Sequence, residues 1–558
     1  RLSTAEFLSM AFSCVSVTVV VSLVALVWPG SSVASHGDSR RSPPNIYRKA
    51  AQHHAHAAAG ESGGPAYVTK YFSSDVDHFN YEDNRTFAMR VLVNEERWDG
   101  QKGRPIIFYT GNEGPIDLFW NNSRFWTETV RDHFGGVVVF AEHRYFGETM
   151  PFGNKSFERQ NIGYCTIEQV LEDYAVLLMR LQSTKYGRGP ILAGGGSYGG
   201  MLAAWFRLKY PSLVTGSLAA SAPVLQYVNM TDQYMWFAKV TEDFRSAGCA
   251  DGIKTAFTFL EQATKTLKHN KKDKATAALR HSHRQTDERQ QTVDDLAGTF
   301  STCTPIENGT QVESLIAWMM DAFGELAMVD YPYPASFLGS LPAWPVTKFC
   351  EGYGSTAAAA ASVSDRRGVW MAMRRGLDAA GLAEKGKCLN IQTTGEDDSL
   401  GALDGWDYLT CTTQSMPIGS NGDTDMFPPS PYNLTAVVDG CRKKYGVTPD
   451  FTWPRRYSNY FEGCSNIIFS NGLLDPWWTG SFHHSPSPSC VVLNVTEGAH
   501  HLDLRAPSDE DPLSVRRVRE RELGIMQGWV DAFYGAAAAA GEERRRRGEE
   551  GRETLVYQ

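Results

Sequence analysis

Residues 190–209 read Pro-Ile-Leu-Ala-Gly-Gly-Gly-Ser-Tyr-Gly-Gly-Met-Leu-Ala-Ala-Trp-Phe-Arg-Leu-Lys. The apolar run from Ile191 to Ala193 predicts a buried strand, and Met201 to Lys209 has the residue types of a helix. Between them Gly195-Gly-Ser-Tyr-Gly199 fits Gly-x-Ser-x-Gly, the pattern of a serine held on a sharp strand-to-helix turn. The serine in such a turn adopts a strained backbone, so its neighbours must be small, and Gly194, Gly195, Gly196, Gly199 and Gly200 supply that room. The start of the following helix favours negative charge beside the serine. A glycine-rich turn that only joins strand to helix is the plain alternative; the strand before it and the helix after it are what single out Ser197.

N-terminal to it, Pro105 to Thr110 and Gly136 to Ala141 are further continuous apolar runs, and Thr166 to Ser183 is helix-like. Short apolar strands alternating with helices predict a mostly parallel sheet covered on both faces, an α/β fold. The strand pattern returns at Asn466 to Ser470 and Cys490 to Asn494. A serine hydroxyl needs an imidazole to take its proton and a carboxylate to orient that imidazole, and in the α/β-hydrolase fold the order along the chain is Ser, acid, His. Asp475 follows one late strand and His500 the other, so both fall on loops at strand ends. His501 rivals His500 and Asp503 rivals Asp475, although Asp503 is too close in sequence to orient either histidine from a separate loop. His143, His483 and His484 read as structural or exposed histidines. For the oxyanion, the Tyr198 N–H is the first expected donor. The glycine-containing segment Tyr109 to Gly114 supplies the second, with Tyr109 and Gly111 as candidates, unless it is only a strand-ending turn.

The rest of the 558 residues places this core in context. With 42% hydrophobic and 21% charged residues the chain is globular, and a net charge of −9 offers no basic footprint for nucleic acid. Phe7 to Trp28 is an apolar run followed by Ser32-Val-Ala34, so residues 1–34 are expected to be a signal peptide or an uncleaved N-terminal anchor. Residues 35–66 read as a flexible linker. The predicted hydrolase domain then occupies 67–225 and 455–535, interrupted by a helical cap at 226–454, with a disordered tail at 536–558. Within the cap, Lys265 to Arg289 is a basic, solvated insertion, and at the C-terminal side a final amphipathic helix is expected over Asp511 to Tyr534.

Ten cysteines are present; leaving out Cys14, six of the remaining nine (Cys249, Cys303, Cys350, Cys388, Cys411 and Cys441) lie in the middle stretch. Disulfides are the expected use, and the odd count that includes Cys165, Cys464 and Cys490 leaves at least one free thiol. No spacing suggests a metal site, and no cofactor is implied. Seven Asn-x-Ser/Thr triplets, at Asn84, Asn121, Asn154, Asn229, Asn308, Asn433 and Asn494, agree with a secretory route to a lysosome, a vacuole or the exterior.

Three stretches carry a resemblance: Gly195 to Arg207, Phe469-Ser-Asn-Gly-Leu-Leu-Asp-Pro-Trp477 and Glu497-Gly-Ala-His-His-Leu-Asp-Leu-Arg505. They resemble the lysosomal Pro-X carboxypeptidase and dipeptidyl peptidase II family, as do Tyr109 to Gly114, Ala141 to Glu148 and Ala327 to Tyr333. The similarity runs from about Tyr67 to Tyr534. It implies a hydrolase domain with a helical, disulfide-bearing cap, a Ser197–Asp475–His500 triad with His500 preferred to His501, cleavage beside proline at acidic pH, and a homodimer. It also implies that Met201 and Trp477 line an apolar proline pocket.

The two branches of that family grip opposite ends of a peptide. Met328-Val-Asp330, Cys388-Leu-Asn390 and Gly401-Ala-Leu403 look nearer the carboxypeptidase, for which Arg505 is a candidate carboxylate grip; the dipeptidyl peptidase needs a buried acid, with Asp407 as the guess. Trp478-Thr-Gly-Ser-Phe482 replaces a stretch that is glycine-rich in the family, and Lys265 to Arg289 is extra length. The reading is therefore a serine exopeptidase acting on peptides, most simply a Pro-X carboxypeptidase. Against it stand a dipeptidyl peptidase, a lipase or esterase on the same fold, and a non-catalytic binding protein on a hydrolase scaffold. Membrane insertion is expected only if the N-terminal segment stays uncleaved.

Overall fold

The apolar runs become the middle of an eight-stranded sheet. In the computed structural model, which describes residues 64–268, 282–337, 340–354, 365–383, 386–391 and 402–546, the strands are β1 (Val68–Asp75), β2 (Thr86–Asn94), β3 (Ile106–Thr110), β4 (Val137–Ala141), β5 (Ile191–Gly196), β6 (Gly216–Ala220), β7 (Ile467–Gly472) and β8 (Cys490–Val495). Their order is β1-β2-β4-β3-β5-β6-β7-β8. β1 and β2 pair antiparallel at one edge, β2 pairs antiparallel with β4, and every other pairing is parallel. Every residue of β3, β4, β5, β6 and β7 is buried, which is why these strands are apolar or small throughout rather than alternating. This is the mixed α/β sheet of the α/β-hydrolase fold.

Helices cover both faces. On the hydrolase side these include α1 (Ile116–Asn122), α2 (Ile167–Leu181) and α3 (Ser197–Lys209). α2 starts where Thr166 accepts the Gln169 N–H with its side chain, and its buried face is Ile167, Val170, Leu171, Tyr174 and Leu178.

Between β6 and β7 the chain is helical: α4 (Met235–Ser246), α5 (Ala250–Lys268), α6 (Ser282–Phe300), α7 (Gly309–Met328), α8 (Pro345–Tyr353), α9 (Arg366–Ala379), α10 (Ala402–Thr410) and α11 (Leu434–Lys444). A capping box at Asn308 and Gln311 starts α7. The insertion has its own aromatic core, in which the Phe323 ring lies 5.1 Å from Phe244 and 4.9 Å from Phe349. Three disulfides, Cys249–Cys350, Cys303–Cys388 and Cys411–Cys441, close loops within it, and Cys464–Cys490 joins the approach to β7 to the start of β8. Cys165 is the free thiol that the odd count required; it is buried.

One boundary differs from the sequence reading. The last helix, α12 (Leu513–Arg546), runs through the alanine stretch 536–540 that we read as part of a disordered tail. Alanine has the highest helix propensity, so a run of it after an established helix prolongs the helix. The leader, the linker up to residue 63, residues 269–281 of the basic insertion and residues 547–558 lie outside the described residues. Among the described residues, no helix is long and apolar enough to cross a membrane.

Candidate active site

β5 passes directly into α3, and Ser197 stands at the junction with φ +56°, in the left-handed region that disfavours side chains. The glycines around it are needed for space. A Cβ on Gly195 would lie 2.4 Å from the Gly199 carbonyl, and one on Gly199 would lie 2.2 Å from Asn112 Oδ1. Asn112 Nδ2 in turn donates to the Gly196 carbonyl at 2.7 Å. The loop after β3 therefore grips the elbow through a buried asparagine that sequence reasoning had passed over as part of a turn.

Asp475 follows β7 and caps the short helical turn Pro476–Gly480. Oδ1 accepts the Trp477 N–H at 3.0 Å, while Oδ2 lies 2.7 Å from His500 Nδ1. Both partners are buried. The opposite nitrogen, His500 Nε2, is also buried and has no hydrogen-bond partner among the described residues. An unpartnered buried nitrogen on an oriented imidazole is an uncommon and costly feature, and it is what a general base requires.

The rivals fall elsewhere. His501 has φ +41° and its ring lies 4.4 Å from that of His500 without meeting Asp475; its N–H donates to Ser221 Oγ at 2.8 Å. A Cβ on Gly196 would lie 2.9 Å from the His501 ring, so that ring sits under the elbow. Burial, and then repulsion of a second positive charge by the neighbouring His500 and Arg505, hold the His501 pKa well below the ordinary range, so it is neutral. Asp503 accepts from Ser470 Oγ at 2.5 Å and pairs with neither histidine. His143 lies 3.1 Å from the Tyr198 hydroxyl and is lowered to about 4 by burial, and His483 is stacked on Trp478 at 4.0 Å. His484 is exposed.

Tyr198 occupies the first turn of α3, where N–H groups lack intrahelical acceptors. Tyr109 does not offer a free main-chain donor as the sequence reading supposed. It lies inside β3, paired with Phe140 of β4 and Gly194 of β5, which commits its N–H to the sheet. Its hydroxyl instead accepts the Gly196 N–H at 3.4 Å and donates to Asn112 Oδ1 at 3.1 Å. Gly111 approaches β4 closely: a Cβ there would lie 2.2 Å from the Ala141 carbonyl oxygen.

Met201 is buried one turn after Ser197, and Trp477 is buried beside Asp475 with its ring 5.9 Å from Trp236 of α4. Arg505 is not presented to a peptide carboxylate. Its Nη1 donates to Asn122 Oδ1 at 2.5 Å, and its guanidinium lies 5.2 Å from the Tyr331 ring and 5.5 Å from that of Phe337. Asp407 is not a buried acid either, since it forms a half-exposed ion pair with Lys444 at 2.6 Å. Among the described residues, no group of three or more His, Cys, Asp or Glu side chains is placed to hold a metal ion.

The family profile described as "Serine carboxypeptidase S28" matches residues 74–522. The human lysosomal Pro-X carboxypeptidase is 37% identical over 481 residues, covering 84% of this chain and 90% of that protein. The Caenorhabditis elegans prolyl carboxy peptidase like protein 5 is 31% identical over 486 residues, covering 83% and 90%. Among solved structures, a proline iminopeptidase from Mycobacterium smegmatis aligns with a TM-score of 0.33 at 11% identity, covering 83% of this chain and 99% of that one.

Proposed function

The chain belongs to the serine carboxypeptidase S28 family, and from that premise we propose that it is a serine exopeptidase that releases the residue following a penultimate proline from the C-terminus of peptides. The observation that carries the mechanism is the Asp475–His500 pair, 2.7 Å apart, with a buried unpartnered Nε2 in the same sheet-end cluster of loops as a serine held at φ +56°.

In this reading Ser197 Oγ attacks the carbonyl carbon of the prolyl residue while His500 Nε2 takes its proton. Asp475 fixes the tautomer with the proton on Nδ1 and stabilises the imidazolium that forms. The Tyr198 N–H stabilises the tetrahedral oxyanion. His500 then gives its proton to the departing amine, and a water activated by the same nitrogen hydrolyses the prolyl ester. Met201 and Trp477, with Trp236 behind it, are proposed to receive the proline ring. A lipase or esterase shares the triad, and the family membership selects the peptidase. Dipeptidyl peptidase activity would need a buried acid to hold the peptide ammonium, and the half-exposed, Lys444-paired position of Asp407 does not supply one.

The four disulfides among the described residues agree with an oxidising compartment, and the human relative carries a lysosomal name. All seven sequon asparagines are exposed, which supports N-glycosylation at each. We further propose that the helical insertion at 226–454 caps the hydrolase parts at 67–225 and 455–535.

Two matched peptides test the function at acidic pH: one with a penultimate C-terminal proline and a blocked N-terminus, the other with an N-terminal X-Pro pair and a blocked C-terminus. Release of the C-terminal residue from the first supports the proposal. Release of the dipeptide from the second would move the chain to the other branch, and cleavage of neither by folded protein would overturn the peptidase reading.

A further inference from the structure

Both main-chain polar groups of His500 are satisfied by the helical insertion rather than by the sheet that carries its loop. The His500 N–H donates to the carbonyl of Met328, the last residue of α7, at 2.9 Å. The His500 carbonyl accepts from the Tyr331 hydroxyl at 2.9 Å. Buried peptide groups must find partners, and these two have theirs some 170 residues away in sequence, in the segment 328–337.

That segment is itself tied down at several points. The Tyr331 carbonyl receives the Trp344 N–H at 2.7 Å, and Asp330 Oδ1 receives the Val346 N–H at 3.0 Å, which fastens the segment to the start of α8. α8 carries Cys350, bonded to Cys249 before α5. On the other side the Phe337 ring meets the His501 ring edge-on at 5.4 Å, and the Arg505 guanidinium lies against both Tyr331 and Phe337. The strap thus holds the histidine loop at residues 500, 501 and 505 and is anchored in the insertion at its other end.

We propose that Tyr331 is a positioning residue for the reaction: through its hydroxyl bond to the His500 carbonyl, and with the Met328 carbonyl, it fixes the height and tilt of the imidazole over Ser197, so that the triad is completed only when the insertion is docked. Asp475 controls rotation of the imidazole ring, and the strap controls where the ring's backbone stands. Proton transfer tolerates little error in that position; a displacement of about 1 Å can cost on the order of 10²-fold in rate. The proposal rests on His500 being the general base.

The test compares Tyr331→Phe, which keeps the ring under Arg505 and removes only the donor, with Tyr333→Phe as a control for the strap's packing and His500→Ala as a control for the base. For each full-length protein, kcat and KM are measured on the proline-containing carboxypeptidase peptide, and the rate of inactivation by an alkyl fluorophosphonate reports serine activation without any peptide binding. Tyr331→Phe is expected to lower kcat and the inactivation rate together by about 10- to 100-fold, with KM within about twofold of wild type. Tyr333→Phe is expected to change neither rate by more than about twofold.

Wild-type values of both rates in Tyr331→Phe, with His500→Ala inactive, would overturn the positioning role and leave the triad standing. A loss confined to KM would also overturn it, since that would describe a pocket wall. An active His500→Ala would instead overturn the catalytic reading itself. Should Tyr331→Phe not accumulate as folded protein, Asp330→Ala, which removes the acceptor of the Val346 N–H and so loosens the strap from α8, carries the same expectation of a fall in kcat at constant KM.

Discussion

The elbow at residues 191–209 and the histidine loop at residues 496–505 hold the two ends of one proton relay by different means. The elbow is local: five glycines, a strand that enters a helix without a linker, and one asparagine from the adjacent loop fix Ser197 at φ +56°. The histidine loop borrows its geometry from distant parts of the chain, with Asp475 orienting the ring and Met328 and Tyr331 of the insertion orienting the backbone. Damage to the groups that support Ser197 in the elbow should therefore appear chiefly as lost stability, and damage around the histidine loop chiefly as lost rate.

The largest expected effect separates the two adjacent histidines. His500→Ala should lower kcat by about 10⁴-fold or more on the carboxypeptidase peptide, comparable to Ser197→Ala, because members of a triad act as a unit. His501→Ala should be at least about 10²-fold milder, since His501 supports the elbow and holds no carboxylate. Equal losses in steady-state assays would erase the distinction between base and support.

On the elbow side, Asn112→Ala removes the donor to the buried Gly196 carbonyl and should cost about 1–3 kcal/mol in denaturant unfolding. Unchanged stability would mean that the glycines alone hold the turn.

A weaker effect should appear with pH. An acid whose pKa is raised in the folded protein holds its proton more tightly there than in the unfolded chain, so its contribution to stability falls as pH rises from the ordinary carboxylate range towards the folded value. Burial pushes Glu142 and Asp330 up to about 7 and Asp243 to about 8, and it raises Glu522, which faces Asp503, well above its usual range. His143 and His501, lowered by burial, act in the opposite sense: they cost stability as pH falls below the ordinary imidazole value. Four groups outweigh two, so thermal unfolding by calorimetry should give a higher Tm at about pH 5 than at about pH 7.5, and Glu522→Gln should narrow the gap. A higher Tm at the neutral pH would contradict this balance.

The smallest effect belongs to the surface. Asp407→Asn breaks a half-exposed pair with Lys444 and should leave kcat/KM unchanged within error and stability within about 1 kcal/mol. A marked loss of peptide binding would restore the ammonium grip.

Legibility in the sequence follows the same division. β3, β4, β5, β7 and β8 were readable because buried parallel strands are short continuous apolar runs, and Ser197 because the elbow's needs are met by neighbours within a few residues. β6 escaped notice because Gly-Ser-Leu-Ala-Ala carries no β-branched signal; its first residue is small because a Cβ there would lie 2.1 Å from Trp529 of α12. β2 was missed because it alternates at one end and is wholly buried at the other. Choosing His500 over His501 needed the family resemblance, since the two rings lie 4.4 Å apart and only the folded loop shows which one meets Asp475. Asn112 looked like turn chemistry, and Tyr331 has no local signature because its partner is 169 residues away. The alanine run showed its composition but not its helix.

The Ser197–His500 relay is tested by where a fluorophosphonate attaches, and how fast, in wild-type protein, His500→Ala and His501→Ala, read by peptide mass spectrometry. A single adduct on Ser197 is expected, forming readily in wild type and His501→Ala and nearly abolished in His500→Ala. An adduct on another residue, or labelling of Ser197 in His500→Ala at the wild-type rate, would contradict the relay.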